Sequence, residues 1–299
     1  MKILATGDLH LTDKKPENRT DDYKSSVLKK LDFIFQTAIN EKCKLIVQPG
    51  DFFDSPAPSY SLFSEIAKRI RAIHPIWIAS IWGQHDLRYR RKENAALKAL
   101  SIICSDNFLL EFNGIFQNEL RIYSAGWGEE IPKLNNRFCS ILIIHRTIVN
   151  DKLWAGQTEY VQGFDFVKAN KFPLIISGDN HQSFIINLKS AKKYLFNCGS
   201  LLRSKIDQIN HKPFIIIFDT ETRQYKQIMI PIEPAEKVFA LEKTSKEREL
   251  NVNLMAFISG LSEHKEVGLK FEDNLNFYMN ENNVKQEIRD IINEAKMEG

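Results

Sequence analysis

The sequence lacks a membrane span: no apolar run approaches the ~20 residues that a spanning helix needs. It also lacks a disulfide framework. Its four cysteines (Cys43, Cys104, Cys139 and Cys198) are far apart with no CxxC pair, so reduced thiols are expected. Met1-Lys2-Ile3-Leu4-Ala5 runs straight into a polar motif, unlike a secretory signal. These features point to a cytoplasmic protein. Strong net charge is missing too. The 41 Lys and Arg residues against 38 Asp and Glu leave +3, too little to announce nucleic-acid binding, although bulk charge can hide a local patch. No internal repeat or low-complexity segment occurs.

What is present is ordinary core material. Hydrophobic residues make up 43% of 299 positions, with 20 Phe and four Trp, which suits one large α/β domain and a modest extra region. Short apolar runs at Lys2–Thr6, Lys44–Gln48 and Ile76–Ile81 predict strands. Helical periodicity over Asp21–Lys42 and Ser59–Ala72 separates them, with Thr20 or Asp21 as a cap for the first helix. That β-α-β-α-β order implies parallel strands covered by helices. Further strands are expected at Asn107–Phe112, Leu120–Ser124, Ser140–His145 and Pro173–Ser177. Four closely spaced runs between Phe184 and Ile230 read as a second, more antiparallel sheet. Two packed mixed sheets flanked by helices is the simplest arrangement. Strands stop at Pro231–Pro234, so a boundary is placed there: 1–234 as the main domain and 235–299 as a mostly helical region. The latter ends in an amphipathic helix over Asn282–Met297.

The chemistry sits just after the strands. Five of them end in Gly7-Asp8-Leu9-His10, Gly50-Asp51-Phe52-Phe53-Asp54, Gly83-Gln84-His85-Asp86, His145, and Gly178-Asp179-Asn180-His181. Ligands of open α/β sheets bind at such C-terminal strand ends. One Asp-x-His alone reads equally well as a cap and a core histidine. Four of the seven histidines in five ordered segments make that reading untenable for the set. Carboxylates together with imidazoles suit Mn, Fe or Zn. Two divalent ions roughly 3.5–4 Å apart need a bridging carboxylate and further ligands on each side, and this inventory supplies them.

The five segments resemble the motifs of the calcineurin-like metallophosphoesterases: GDxH, GDxxD, GNHD, a lone His and GHxH. That resemblance implies a four-layer α-β-β-α sandwich. It implies one metal on Asp8, His10, His181 and a shared Asp51, and a second on Asp51, Gln84, His145 and Asp179. His85 would protonate the leaving oxygen or stabilise the scissile phosphate, with Asp86 and Asp54 orienting it. The reaction implied is in-line attack of water on a phosphodiester. Gln84 stands where the family has Asn, and Asp179 where it has His. Both keep a ligating oxygen, and the added carboxylate favours a harder ion, manganese first and magnesium as the alternative.

Within the family the chain looks most like the SbcD-type DNA repair nucleases. Gly50–Ser59 is similar to their second motif with its Pro/Ser tail, and Asn197-Cys198-Gly199-Ser200 to their NPGS turn. DNA is then the expected substrate. Arg88, Arg90, Arg91 and Lys92 after the third motif, Arg146 after the lone His, and Arg203 and Lys205 after the Gly-Ser turn are candidate phosphate contacts. The resemblance further implies an SbcC-type coiled-coil ATPase partner and a homodimer. Two other classes stand beside this reading. One is a phosphodiesterase or phosphatase on a non-nucleic-acid substrate; the other is a DNA-end-binding scaffold with little turnover.

Overall fold

The structure is a computed structural model that describes residues 1–117, 119–134, 139–151, 160–205, 208–240, 275, 279–280 and 284–297. In chain order it begins β1 (Lys2–Ala5), α1 (Tyr23–Asn40), β2 (Leu45–Gln48), α2 (Tyr60–Ala72), β3 (Trp77–Ser80), α3 (Ala96–Ile103) and β4 (Phe108–Leu110). It continues with β5 (Gly114–Phe116), β6 (Leu120–Ala125), β7 (Cys139–His145), β8 (Ile148–Val149), β9 (Val161–Gln162), α4 (Gly163–Ala169) and β10 (Leu174–Gly178). The remainder is β11 (Phe184–Leu188), β12 (Lys193–Asn197), β13 (Phe214–Asp219), β14 (Tyr225–Met229), α5 (Ala235–Val238) and α6 (Gln286–Met297).

Side-chain alternation along the strands sets the layers. Ile3 and Ala5 of β1 join one buried cluster with Val47, Ile141, Ile143, Ile176 and Phe196. Leu4, between them, joins another with Val27, Leu31, Ile34, Leu62 and Ile66 of α1 and α2. On the far side, Leu142, Ile144, Ile175 and Leu195 pack with Phe166 and Val167 of α4. The strands are apolar on both faces because both faces are covered. Helices, sheet, sheet and helix therefore follow in four layers, as expected.

Both sheets have six strands and both are mixed. The first runs β14-β13-β1-β2-β3-β4, parallel from β1 to β4 and antiparallel at β13 and β14. The second runs β11-β12-β10-β7-β6-β5, parallel through its centre and antiparallel at both edges. The meander from Phe184 onward does not form one antiparallel sheet. Its first hairpin completes the second sheet, and its second crosses over to extend the first. Register through β13 explains the crossover. Ile216 pairs with Ala5 of β1 and faces the cluster between the sheets. Ile215 and Ile217 face the α1–α2 side.

The cap of α1 also differs from expectation. Asp22 accepts from Ser25 N–H at 3.1 Å, while Asp21 binds Arg19 and Ser26 instead. Ser59 caps α2 through Leu62 N–H at 3.1 Å. The chain divides into two units, Met1–Val238 and Phe239–Gly299. In the second, Leu275 and Met279 pack with Val284 and Ile292. Of the expected tail, residues 241–274 lie outside the described residues, as do 282–283 of the expected final helix. Among the described residues, no helix is long and apolar enough to cross a membrane.

Ile143 tests the double-sheet core, because its side chain is buried between the sheets. Replacing it with Ala should destabilise the protein by about 2–5 kcal/mol, and with Val by about 0.5–1.5 kcal/mol. Urea unfolding midpoints would measure both, and equal midpoints for wild type and the Ala variant would contradict this packing.

Candidate metal centre

Three of the motif loops leave the first sheet, after β1, β2 and β3. The other two leave the second sheet, after β7 and β10. They meet because glycines let backbone approach side chain. A Cβ on Gly83 would overlap Asp51, and one on Gly178 would overlap Asp8. Backbone bonds then lock the loops: His10 N–H donates to Asp51 O at 2.9 Å, and Asp8 N–H to Gly199 O at 3.1 Å.

Asp51 lies at the centre and is fully buried. Its Oδ1 accepts from His85 N–H at 2.9 Å. Its Oδ2 is a buried oxygen with no hydrogen-bond donor. Ring nitrogens flank that oxygen, His145 Nε2 at 3.4 Å and His10 Nε2 at 3.7 Å. The geometry is that of a carboxylate oxygen shared between two ligand groups.

The first group is Asp8, His10 and His181, with ligand atoms all within 4.8 Å of one another. His10 Nε2 and His181 Nε2 face each other at 3.0 Å, and His181 Nε2 is 3.9 Å from Asp8 Oδ2. The second group converges on His145 Nε2. Gln84 Oε1 is 2.7 Å away and Asp179 Oδ1 3.9 Å. His145 Nδ1–H donates to Pro49 O at 2.7 Å, which turns Nε2 inward toward Gln84, Asp51 and Asp179. Gln84 reaches the site despite its extra methylene. Its amide N–H donates to Asp179 Oδ1 at 2.9 Å while its oxygen points at His145. All seven residues expected to hold metal are thus brought together.

The charge balance fits a cation. Burial raises the Asp8 carboxyl well above its usual range, opposed chiefly by His145. Burial also pushes Asp51 up, but His145 and His10 outweigh it and hold Asp51 below the ordinary value. Burial should suppress the His145 charge, yet Asp51, Asp8 and Asp179 drive its pKa up to about 9. Three carboxylates around one buried ring mark a place where positive charge is wanted. The orphaned Asp51 oxygen and the inward-facing ring nitrogens suit divalent ions there. Such ions, when bound, supply Lewis-acid polarisation of a phosphoryl oxygen and a more acidic water.

Backbone strain concentrates here. His10, Asp51 and Asp179 have φ of 43°, 50° and 84°, the left-handed region that non-glycine residues avoid at a cost of order 1–3 kcal/mol each. The packed loops over-determine these conformations, which aim the ligands.

His85 is exposed at the mouth of the site, its ring 4.8 Å from that of His10. Its Nδ1 bonds the Asp54 carbonyl at 3.1 Å, leaving Nε2 to exchange a proton with substrate. The two expected orienting carboxylates are placed differently. The Asp54 carboxylate faces His10 Nδ1 at 3.4 Å and lies within 4.8 Å of a His85 ring nitrogen, while its backbone carbonyl makes the hydrogen bond to His85. Asp86 is fully buried and accepts from Phe52, Phe53 and Gly83 N–H at 2.9–3.2 Å. Three donors in its own loops leave Asp86 pinning motif two to motif three rather than orienting His85. Burial pushes its carboxyl up to about 7 against the pull of those donors.

Two of the expected DNA contacts are also placed otherwise. Arg203 is buried and donates to the Ile209 and Glu233 carbonyls. Lys92 is bonded to both Glu111 and Glu129. Arg88, Arg90 and Arg91 are exposed and Arg146 is half-buried. Lys205 lies with Asp179 and His181 on an open groove of about 740 Å³.

Several supporting residues were not foreseen. Gln48 bonds Gly50 and accepts from Ser80, bracing motif two against β3. Its signal was a polar residue closing a buried strand. Thr147 donates to Asp179, and Asn197 donates to the Asn180 and Gln182 carbonyls at 2.8 Å, holding motif five. These contacts are long-range, and the Thr147 position carries no local cue.

Residues 1–183 match the family described as Calcineurin-like phosphoesterase. The chain belongs to that family. It is a phosphoesterase of the metal-dependent hydrolase type, and the two ligand groups are where this family's divalent ions would be held. Among solved structures, the protein TT1561 of Thermus thermophilus aligns with a TM-score of 0.50 and 10% identity, covering 77% of this chain and 99% of that one. A dimetal phosphatase from Danio rerio aligns at 0.45 with 11% identity, covering 77% and 99%. Pseudomonas putida nuclease MPE aligns at 0.34 with 9% identity, covering 77% and 87%. At 10% identity the Thermus thermophilus likeness speaks to fold alone. No curated protein matches the chain.

Metal binding should be visible in stability. A ligand that binds only the folded state stabilises it by about 2.7 kcal/mol at a hundred times its Kd. Manganese added to chelator-treated phosphoesterase should raise the thermal unfolding midpoint, and Asp51→Asn should remove most of that rise. Equal rises in both proteins would show that Asp51 is not a shared ligand.

Proposed function

We propose that this phosphoesterase hydrolyses DNA phosphodiester bonds, as a nuclease subunit of the SbcD type. The observation that carries the reading is the exposed arginine turn, Arg88, Arg90 and Arg91, three to six residues beyond His85 at the mouth of the metal centre. Three guanidinium groups beside a phosphodiester site are counter-charges for a polyanion rather than for a small monoester. Lys205 adds positive charge along the groove lined by Asp179 and His181, and Arg146 follows the ligand His145 directly in sequence.

Manganese is the proposed ion, with magnesium as the alternative, because Asp8, Asp51, Asp179 and the Gln84 amide present a ligand set rich in hard oxygen. The seven ligands are those expected from the motifs, His85 is the catalytic acid, and Asp54 aligns it through its carbonyl. The partner in this reading is an SbcC-type coiled-coil ATPase, contacted through the region after residue 234, and the nuclease subunit is a homodimer. The cytoplasm is the proposed location, in keeping with four cysteines that are all free thiols.

The test is cleavage of end-labelled single- and double-stranded DNA with Mn, Mg or EDTA. Mn-dependent cutting should be lost in Asp51→Ala. His85→Ala should cut about 10²–10⁴-fold more slowly while still binding metal and DNA. Normal cutting by His85→Ala would remove that residue from the mechanism. Release of phosphate from a small monoester without any DNA cleavage, with the ATPase partner present, would overturn the nuclease reading.

A further inference from the structure

We propose that the turn at Arg88–Arg91 is a base-stacking platform. Tyr89 takes the face of an unpaired nucleobase on a DNA strand whose phosphate lies at the metal centre. The proposal rests on the nucleic-acid reading above and names what that site recognises: a single-stranded or frayed end.

The turn is built to display its tip. Arg88 N–H donates to Arg91 O at 3.0 Å and Arg91 N–H to Arg88 O at 2.9 Å, closing a two-residue hairpin. Tyr89 and Arg90 have φ of 53° and 61°. This is the left-handed pair of a type I′ turn, a place that Asn-Gly or Gly-Gly normally fills. A bulky pair there is unfavourable for folding, and the Tyr89 ring is left almost wholly in solvent. Tyr89 is 87% exposed.

The surroundings match a nucleobase. The Arg88 guanidinium lies 5.9 Å from the Tyr89 ring centre. Arg90 lies 6.0 Å from the ring centre of Trp127, which is itself 39% exposed. Aromatic faces interleaved with guanidinium groups are how proteins hold single strands, because every base offers a π-face once it leaves the duplex. The assembly is also fixed to the catalytic loops. Trp127 N–H donates to Trp82 O at 2.8 Å, just before motif three. Lys92 binds Glu129, whose other oxygen accepts from Gly126 N–H at 2.8 Å. Lys92 thus ties the arginine turn to the Trp127 loop, which accounts for its being unavailable to phosphate. Tyr89 follows His85 by four residues, so their Cα atoms are at most about 14 Å apart. That is a span of about four stacked nucleotides.

The experiment measures binding of an end-labelled single-stranded oligonucleotide to the full-length protein in EDTA, by fluorescence anisotropy. Tyr89→Ala should weaken binding about tenfold or more, and Tyr89→Phe should stay within about twofold of wild type. On an oligonucleotide made of abasic sites, Tyr89→Ala and wild type should bind alike. The manganese-dependent rise in unfolding midpoint confirms that each variant is folded. Wild-type affinity in Tyr89→Ala, or the same loss on abasic and normal strands, overturns the platform. If wild type cleaves DNA and Tyr89→Ala binds as it does, this inference fails alone. If wild type binds no oligonucleotide, the nucleic-acid reading fails and takes this inference with it.

Discussion

A buried carboxylate whose second oxygen faces two imidazoles is the constraint around which the protein is arranged. Asp51 Oδ2 has His10 and His145 ring nitrogens within 3.7 Å. Burying such a charge without compensation is expensive. Every nearby feature answers that problem. Two sheets bring five loops to one point, glycines remove the side chains that would block them, and three ligands accept left-handed backbone. Asp86 and Gln48 are not among the metal groups. They satisfy backbone N–H and C=O groups of the loops, so that the loops can pack around the charged centre without unpaired amides.

That division explains what was legible in the sequence. The ligands were readable because each closes an apolar run, and strand ends in an α/β sheet converge. The layers were readable because β1, β2 and β3 alternate with strongly periodic helices. The second sheet was misread where local pattern says nothing about partners. Both hairpins after Phe184 look alike, and only long-range pairing of β13 with β1 separates them. Short elements such as α3, with no side-chain cap, and α4, which opens on Gly163, carried too weak a signal.

Charge was the least legible layer. Arg203 and Lys92 read from sequence just as Arg88 and Arg91 do. The structure separates them by their partners. Two backbone carbonyls occupy Arg203, and two glutamates, Glu111 and Glu129, neutralise Lys92. Three of these four partners, Glu233, Glu111 and Glu129, lie 19 or more residues away, beyond the reach of a local rule. The same holds for Asp54, whose carbonyl, 31 residues away in sequence, is what hydrogen-bonds His85.

The two departures from the family pattern, Gln84 and Asp179, are neighbours. The Gln84 amide N–H donates to Asp179 Oδ1 at 2.9 Å, and Thr147 donates to the other oxygen. A histidine at 179 would offer that amide at most one ring nitrogen, the one needed for metal. A carboxylate can accept from Gln84 and Thr147 and still present lone pairs to an ion. The longer glutamine is then held at the reach its extra methylene requires, with its oxygen 2.7 Å from His145 Nε2. Each side chain supplies what the other needs, so the two act as one hydrogen-bonded pair in the proposed second ligand group. That group exchanges a neutral nitrogen for an anionic oxygen. That deepens the negative field around His145, which is the ground for proposing a harder ion at the second position.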